Sequence, residues 1–550
     1  MRFTRSNHAN KICPRMNLRQ PILHFSCAVA FLGASQIVSA DESPAPPKMD
    51  SGGIQKAQMP SWSRSDLDFF LHGSMSTEVV PETVLRAFIR TYPDLFPKDD
   101  LSNLGAIPDP QFGWPVGFSR AKVTHLGGLS AVGVNCASCH VGEITPPDGG
   151  PNIRVLGMTS QFDAEGFLGA VIISTFRTAD PANMKKFLAA YLAVNDPKSG
   201  GNGQKSFENA WQQQEQKITS AMTADPAKNP AGLRAINGRD VQLDGKSLAR
   251  GEDLAALSVA MLNLFHNMRF ALHVPDVPPP ASPPNGPGRN DPWRILSYSL
   301  LGVVTEPATV KFGIVWNEDQ RAWVHDDGNT HSPIIRNLAA SLGLGAPLVG
   351  HHGELDYALV KRQTDLSQRI RPPHYPWAID QTAAETGAKI YAANCASCHD
   401  GPQTDARLHS IAEIQTDPNR ATIFTQPVAD GFNQFFAQLE ITGYTPPQTP
   451  PLRSTQKYWS PSLAGVWARS PYLHNGSVRT MHELLTPPAA RAKTFHRGSR
   501  VYDPARMGYT DEGGYVLDTT VAGSSNTGHD FGTSLSDEQK HELIEYLKTL

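Results

Sequence analysis

Cys136-Ala137-Ser138-Cys139-His140 and Cys395-Ala396-Ser397-Cys398-His399 repeat one pentapeptide, each time directly after an Asn. Two thiols separated by two residues, with a His immediately following, suit one chemistry. The thiols add across the vinyl groups of a haem, and the short loop sets the imidazole to bind iron from one axial side. A CxxC disulfide or half of a zinc site explains the thiols but not why a His follows both times. The chain holds six cysteines, and the other two, Cys13 and Cys27, fall in the leader described below. The pattern predicts two covalently bound haems c, attached through Cys136, Cys139, Cys395 and Cys398, with His140 and His399 as iron ligands.

The second axial position of each iron decides what it can do. A His or Met there gives a low-spin electron carrier, whereas a vacant position admits peroxide or dioxygen. For the first haem no sixth ligand stands out. Met158 and Met184, the nearest methionines after His140, read as core filler. His266 and His273, on an apolar helix, read as buried structural histidines. An open first haem is thus the candidate reactive centre. Trp316, Trp323, His325 and His331 gather around Asp327-Gly328-Asn329-Thr330 and are candidates for its distal side. Trp323 and His331 are the catalytic candidates there, with simple packing beside a haem as the alternative for Trp323.

The elements that must carry these residues are mostly helical. Periodicity predicts helices at Thr83–Thr91, Phe162–Thr178, Pro181–Val194 and Leu248–Leu272, and a polar Gly-rich loop at Asn195–Gln204. Ser536-Asp537-Glu538-Gln539 reads as a helix start, with a capping Ser and first-turn acids, before a terminal amphipathic helix. Val277–Pro287 is too rich in Pro for a helix and should be extended. A second break, Arg371–Pro376, precedes the second motif and is the expected domain boundary. Strand-like alternation is sparse. The expected class is mainly α: two cytochrome c-like haem domains with long loops and an inserted helical region. The expected segments are 1–40 (leader), 41–104 (N-terminal extension, unstructured to about Ser61), 105–372 (first haem domain) and 373–550 (second haem domain).

Residues 1–40 carry Arg2, Arg5, Lys11, Arg15 and Arg19, no acid, a short apolar run and Val38-Ser39-Ala40. That is the layout of a secretory signal peptide, and covalent haem attachment of this kind takes place outside the cytoplasmic membrane. A periplasmic location is expected. Removing the leader takes the formal charge from −3 to about −8, and a mildly acidic chain without a basic stripe argues against nucleic acid. No later segment offers the roughly 18 apolar residues of a membrane span.

The C-terminal stretch Ser460-Pro461-Ser462-Leu463, followed by Ser470-Pro471-Tyr472-Leu473-His474-Asn475-Gly476-Ser477-Val478, resembles the bacterial di-haem cytochrome c peroxidase superfamily. Pro487-Pro488, Tyr502-Asp503-Pro504 and Gly528-His529-Asp530-Phe531-Gly532-Thr533 make it more similar to the branch containing the di-haem rubber oxygenase. Trp114-Pro115-Val116-Gly117-Phe118, Asp327–Pro333 and Arg336-Asn337 fit that branch too. The resemblance covers about residues 105–180 and 290–550.

The resemblance implies a sixth ligand for the second haem shortly before the terminal helix, and His529 falls there; Met507, Met481 and His474 are the rivals. For His474 it implies a hydrogen-bonding role between domains, with a catalytic role as the alternative. It also implies a possible calcium ion held by backbone oxygens near the Pro-Tyr-x-His element, where Arg469 and Ser470 stand in this chain. The expected activity is reduction of hydrogen peroxide at the first haem. Electrons would come from a small donor protein such as a soluble cytochrome c, relayed by the second haem. The alternatives are a dioxygenase cleaving an unsaturated apolar substrate and a non-catalytic electron carrier.

Overall fold

Two facing helices set the frame around the second motif. The helix Gln381–Asn394 delivers the chain into Cys395 and packs against the terminal helix Asp537–Leu547. Gly387 makes this possible: a Cβ there would lie 2.0 Å from the Glu542 carbonyl oxygen, so no side chain fits at the crossing. The terminal helix begins as its sequence predicts. Ser536 Oγ accepts from the Gln539 amide, and the Gln539 side chain accepts from the Ser536 amide.

The computed structural model describes residues 47–50, 52–98, 100–123, 129–195, 200–223, 254–271, 282–347 and 355–550. The leader, His273 and residues 277–281 of the Pro-rich run lie outside these, as does the His266 side chain. Helices alternate with short antiparallel ribbons, and residues 46–550 form one compact unit.

Three of the expected helices appear at Glu82–Thr91, Ala164–Thr178 and Pro181–Asn195, and the fourth is described over Leu254–Ala271. The loop expected to reach Gln204 is overturned in its second half, because Gly200–Thr223 is a helix. Phe207, Trp211 and Ile218 on its inner face are buried with Phe88, Phe187 and Phe265. Burial of large aromatics outweighs the cost of three glycines at and near its start. The N-terminal stretch expected to be unstructured is also corrected. Ile54, Gln55 and Gln58 are buried, and Gln58 Nε2 donates to the Leu156 and Arg371 carbonyls.

A second core joins elements that flank both motifs: Val141, Trp316, Ile370, Tyr391, Trp467 and Leu543 are all within it. The Pro-rich segment Arg371–Pro376 runs through this core. Trp467 Nε1 donates to the Pro373 carbonyl at 3.0 Å, and Tyr375 packs edge-on to Trp467. Among the described residues no helix is long and apolar enough to cross a membrane.

Candidate haem-binding site

The first motif forms the one-turn helix Cys136–His140. Asn135 caps it, its side-chain oxygen accepting from the Ala137 amide at 2.9 Å, while its Nδ2 donates to the Gly73 carbonyl at 2.8 Å. Trp114–Phe118 wraps this helix, and Gly117, at φ +83°, sits so close that a Cβ would lie 2.0 Å from the Ser138 nitrogen. The identical Asn before the second motif works differently. Asn394 is the last residue of the preceding helix, and its Nδ2 donates back to the Ile390 carbonyl at 2.8 Å.

Both motif histidines are oriented in the same way. His140 Nδ1 donates to the Gly313 carbonyl at 2.8 Å, and His399 Nδ1 donates to the Pro461 carbonyl at 2.8 Å. A carbonyl can only accept, so the proton resides on Nδ1 and the Nε2 lone pair is left for a metal. Burial pushes His140 down to about 4 and lowers His399 as well, which keeps both imidazoles neutral. All four motif thiols are unbridged. Burial raises Cys136 and Cys395 to about 11 and Cys139 to about 12.

One cavity of about 760 Å³ is lined by both motifs. His529 reaches it from the loop before the terminal helix, with its ring centroid 6.4 Å from that of His399. Two metal–imidazole bonds of about 2 Å each, with the ring half-widths added, fill that gap. Gly528 and His529 both adopt left-handed backbone, φ +72° and +48°. The loop is held by the His529 amide donating to the Ile414 carbonyl and by Arg491, whose guanidinium donates to the carbonyls of Asn526, Gly528 and His529. Arg491 had no signal in the sequence, because its role is to bind backbone distant in the chain. Of the rival ligands, Met481 and His474 line the cavity and Met507 lies in the second core instead.

His325 is the distal candidate that the fold brings to the cavity. Its backbone is left-handed at φ +72°. Nδ1 donates to Asn329 Oδ1 at 2.8 Å, and Nε2 has no hydrogen-bond partner among the described residues. Burial, reinforced by Arg420 and Arg336, pushes it down to about 3, and it lies close enough to His140 for their charges to interact. Trp323 and His331, the sequence-based catalytic candidates, do not line the cavity. They face each other across a two-residue ribbon at 5.2 Å, Arg453 covers the indole at 3.6 Å, and His331 is exposed. Strand alternation would set residues 323 and 325 on one face, and the left-handed backbone at His325 breaks it, so that His325 alone of the two lines the cavity. Trp316 is buried in the second core, its Nε1 donating to the Leu156 carbonyl. Met158 and Met184 are core residues, as expected.

His474 lines the cavity and stacks on Tyr458 at 4.4 Å, with its Nε2 3.2 Å from the phenol oxygen. Beside it, the carbonyls of Arg469 and Pro471, near which the resemblance implies calcium, hold the Lys311 ammonium at 2.6 and 2.7 Å. Among the described residues no group of three or more His, Cys, Asp or Glu converges as for a metal ion.

Two oriented imidazoles, four unbridged thiols and a shared cavity fit covalently bound haem c. A family model described as RoxA-like, cytochrome c-like matches residues 457–496. A second, for the cbb3-type cytochrome C oxidase subunit III, matches residues 382–442. Two uncharacterized proteins of Sinorhizobium fredii are similar to this chain. The protein y4iJ is 26% identical over 603 residues, which cover 89% of this chain and 92% of its own length. The protein y4iM is 32% identical over 283 residues, 43% of this chain and 63% of its own length. The C-terminal region is therefore cytochrome c-like, which implies covalently bound haem c and a haem-based electron-transfer or oxidoreductase role.

Proposed function

We propose that the chain is a periplasmic di-haem oxidoreductase that reduces hydrogen peroxide at the haem of the first motif. His399 and His529 would hold the haem of the second motif, which would supply a relay for electrons from a small donor protein such as a soluble cytochrome c. The observation that carries this reading is His325: a neutral imidazole on the cavity wall, with its proton fixed on Nδ1 by Asn329 and its Nε2 lone pair without a partner among the described residues.

Haem supplies the redox equivalents. The protein must supply a proton shuttle, because cleaving the O–O bond with two electrons and two protons yields two waters only if protons reach the correct oxygens. His325 Nε2 takes the proton from one peroxide oxygen and returns it to the other, and the Asn329 bond keeps the ring in the tautomer that can do so. Arg420, paired through both nitrogens to Asp327, and Arg336, paired to Glu318, lie near enough to His325 to disfavour its protonation.

The test is optical: hydrogen-peroxide-dependent oxidation of a reduced small c-type cytochrome by the purified holoprotein. Turnover on the order of 10 per second is expected. His325→Ala should lower it about 100- to 1000-fold, the usual contribution of a general base. Absence of turnover would overturn the reading. A second reading, dioxygen insertion into an unsaturated apolar substrate, is favoured by the apolar residues Leu168, Ile172, Leu296 and Leu344 on the cavity wall and by the RoxA-like match. It predicts dioxygen consumption with such a substrate and no need for an electron donor.

A further inference from the structure

Three cations in the cavity wall have no carboxylate paired to them among the described residues. There, Lys311 Nζ hydrogen-bonds to the carbonyl oxygens of Arg469 and Pro471. Arg469 is buried; its Nη2 donates to the Ala464 carbonyl, and its Nε has no partner among the described residues. Arg321 makes one long guanidinium contact, 3.4 Å to the Trp316 carbonyl. All three line the cavity that both motifs share.

The carboxylates nearby are committed elsewhere. Glu318 is taken by Arg336 and Asp327 by Arg420. Glu165 accepts from Asn285, and Glu413 bonds His409. Asp326 alone remains. Its charge is felt by both Lys311 and Arg321, yet among the described residues it forms an ion pair with neither. The cations also repel one another in sequence, Arg321 against Arg469 and Arg469 against Lys311. Isolated buried charges cost several kcal/mol each unless an anion compensates. Three together in a cavity wall define an anion site.

We infer that Lys311, Arg321 and Arg469 form a carboxylate clamp between the two motifs, and that its ligands are the side-chain carboxylates of the two haems. The clamp rests on the di-haem reading above, because each haem brings two carboxylates to this cavity. Guanidinium suits bidentate carboxylate binding, and an ammonium with two of its three donors already fixed offers the third in a set direction. Burial and neighbouring cations push Lys311 down to about 7, and an adjacent carboxylate would restore its charge. Lys311 would then bind the Arg469–Pro471 backbone and a haem at once, tying the two halves of the site through one side chain.

The test is a redox titration of the secreted holoprotein, after its two covalent haems have been counted from the reduced pyridine spectrum. Lys311→Met and Arg321→Gln should each lower a haem midpoint potential, because removing a cation beside a carboxylate favours the more positive ferric state. The potential should also become pH-dependent near neutrality, as the unpaired carboxylate now takes up a proton. Arg321→Lys keeps the charge and should keep the wild-type potential. If the neutral variants load fewer haems while Arg321→Lys loads both, the clamp is likewise supported.

Unchanged potentials in variants carrying both haems would overturn the clamp. So would a saturable shift of the wild-type potential by added acetate, since the cations would then be open to free anions. Fewer than two haems in the wild type would instead sink the di-haem reading itself.

Discussion

His325 and His529 are each held in left-handed backbone, a conformation that costs a non-glycine residue about 1 kcal/mol or more. Both line the cavity, so the strain is spent on aiming an imidazole. Their contributions separate experimentally. His325 stays neutral until about pH 3, so peroxide turnover should be flat between about pH 5 and 8 and fall only in acid. A turnover titrating near 6.5, the ordinary imidazole value, would remove His325 as the base. His529→Gly should convert the second haem from a low-spin to a high-spin optical spectrum, and added imidazole should restore the low-spin bands. An unchanged spectrum would pass the ligand role to Met481 or His474, the two rivals on the cavity wall.

At the scale of elements, close backbone approach holds the two motifs. Gly387 lets the helices Gln381–Asn394 and Asp537–Leu547 touch, and Gly117 lets the Trp114–Phe118 segment lie against the first motif. Gly387→Ala must push the terminal helix, which carries the Glu542 carbonyl, away from the helix Gln381–Asn394. It should destabilise the protein by about 1–3 kcal/mol, as overpacking does, and should perturb the second haem's spectrum before the first. Urea unfolding followed at each haem's Soret band checks both parts. The cap and apolar face of the terminal helix were readable in Ser536-Asp537-Glu538-Gln539 because capping is local. The helix Gly200–Thr223 was not readable at its start, where glycines signal a loop and only distant aromatics reverse that.

For the whole molecule, one cavity takes in both His474 and His325, and burial pushes each down to about 3. Both therefore bind a proton in the unfolded chain at a pH where the folded protein does not. Unfolding takes up these protons as pH falls below about 6.5, so stability should decline from there toward pH 3. Urea midpoints at pH 7.5, 6 and 4.5 should fall in that order, and the fall should be shallower in Tyr458→Phe/His474→Gln, which removes one of the two sites. A midpoint independent of pH across this range would contradict the buried neutral state.

The two CxxCH motifs were legible in the sequence alone, because covalent haem attachment would require its residues contiguous in the chain. Gly528-His529 was singled out by the resemblance, which implies a ligand shortly before the terminal helix, and the fold brings His529 to the cavity. The orientation of each motif His was not legible, since Gly313 and Pro461 supply only backbone oxygens, which any residue carries. Nor did residue type separate His325 from His331, six positions apart: a short ribbon and a left-handed turn decide which faces the cavity. Lys311, Arg321 and Arg469 read as ordinary charges along the chain. Only the tertiary structure brings them to one wall, where none forms an ion pair among the described residues, because charge pairing depends on distances through space that the linear order does not encode.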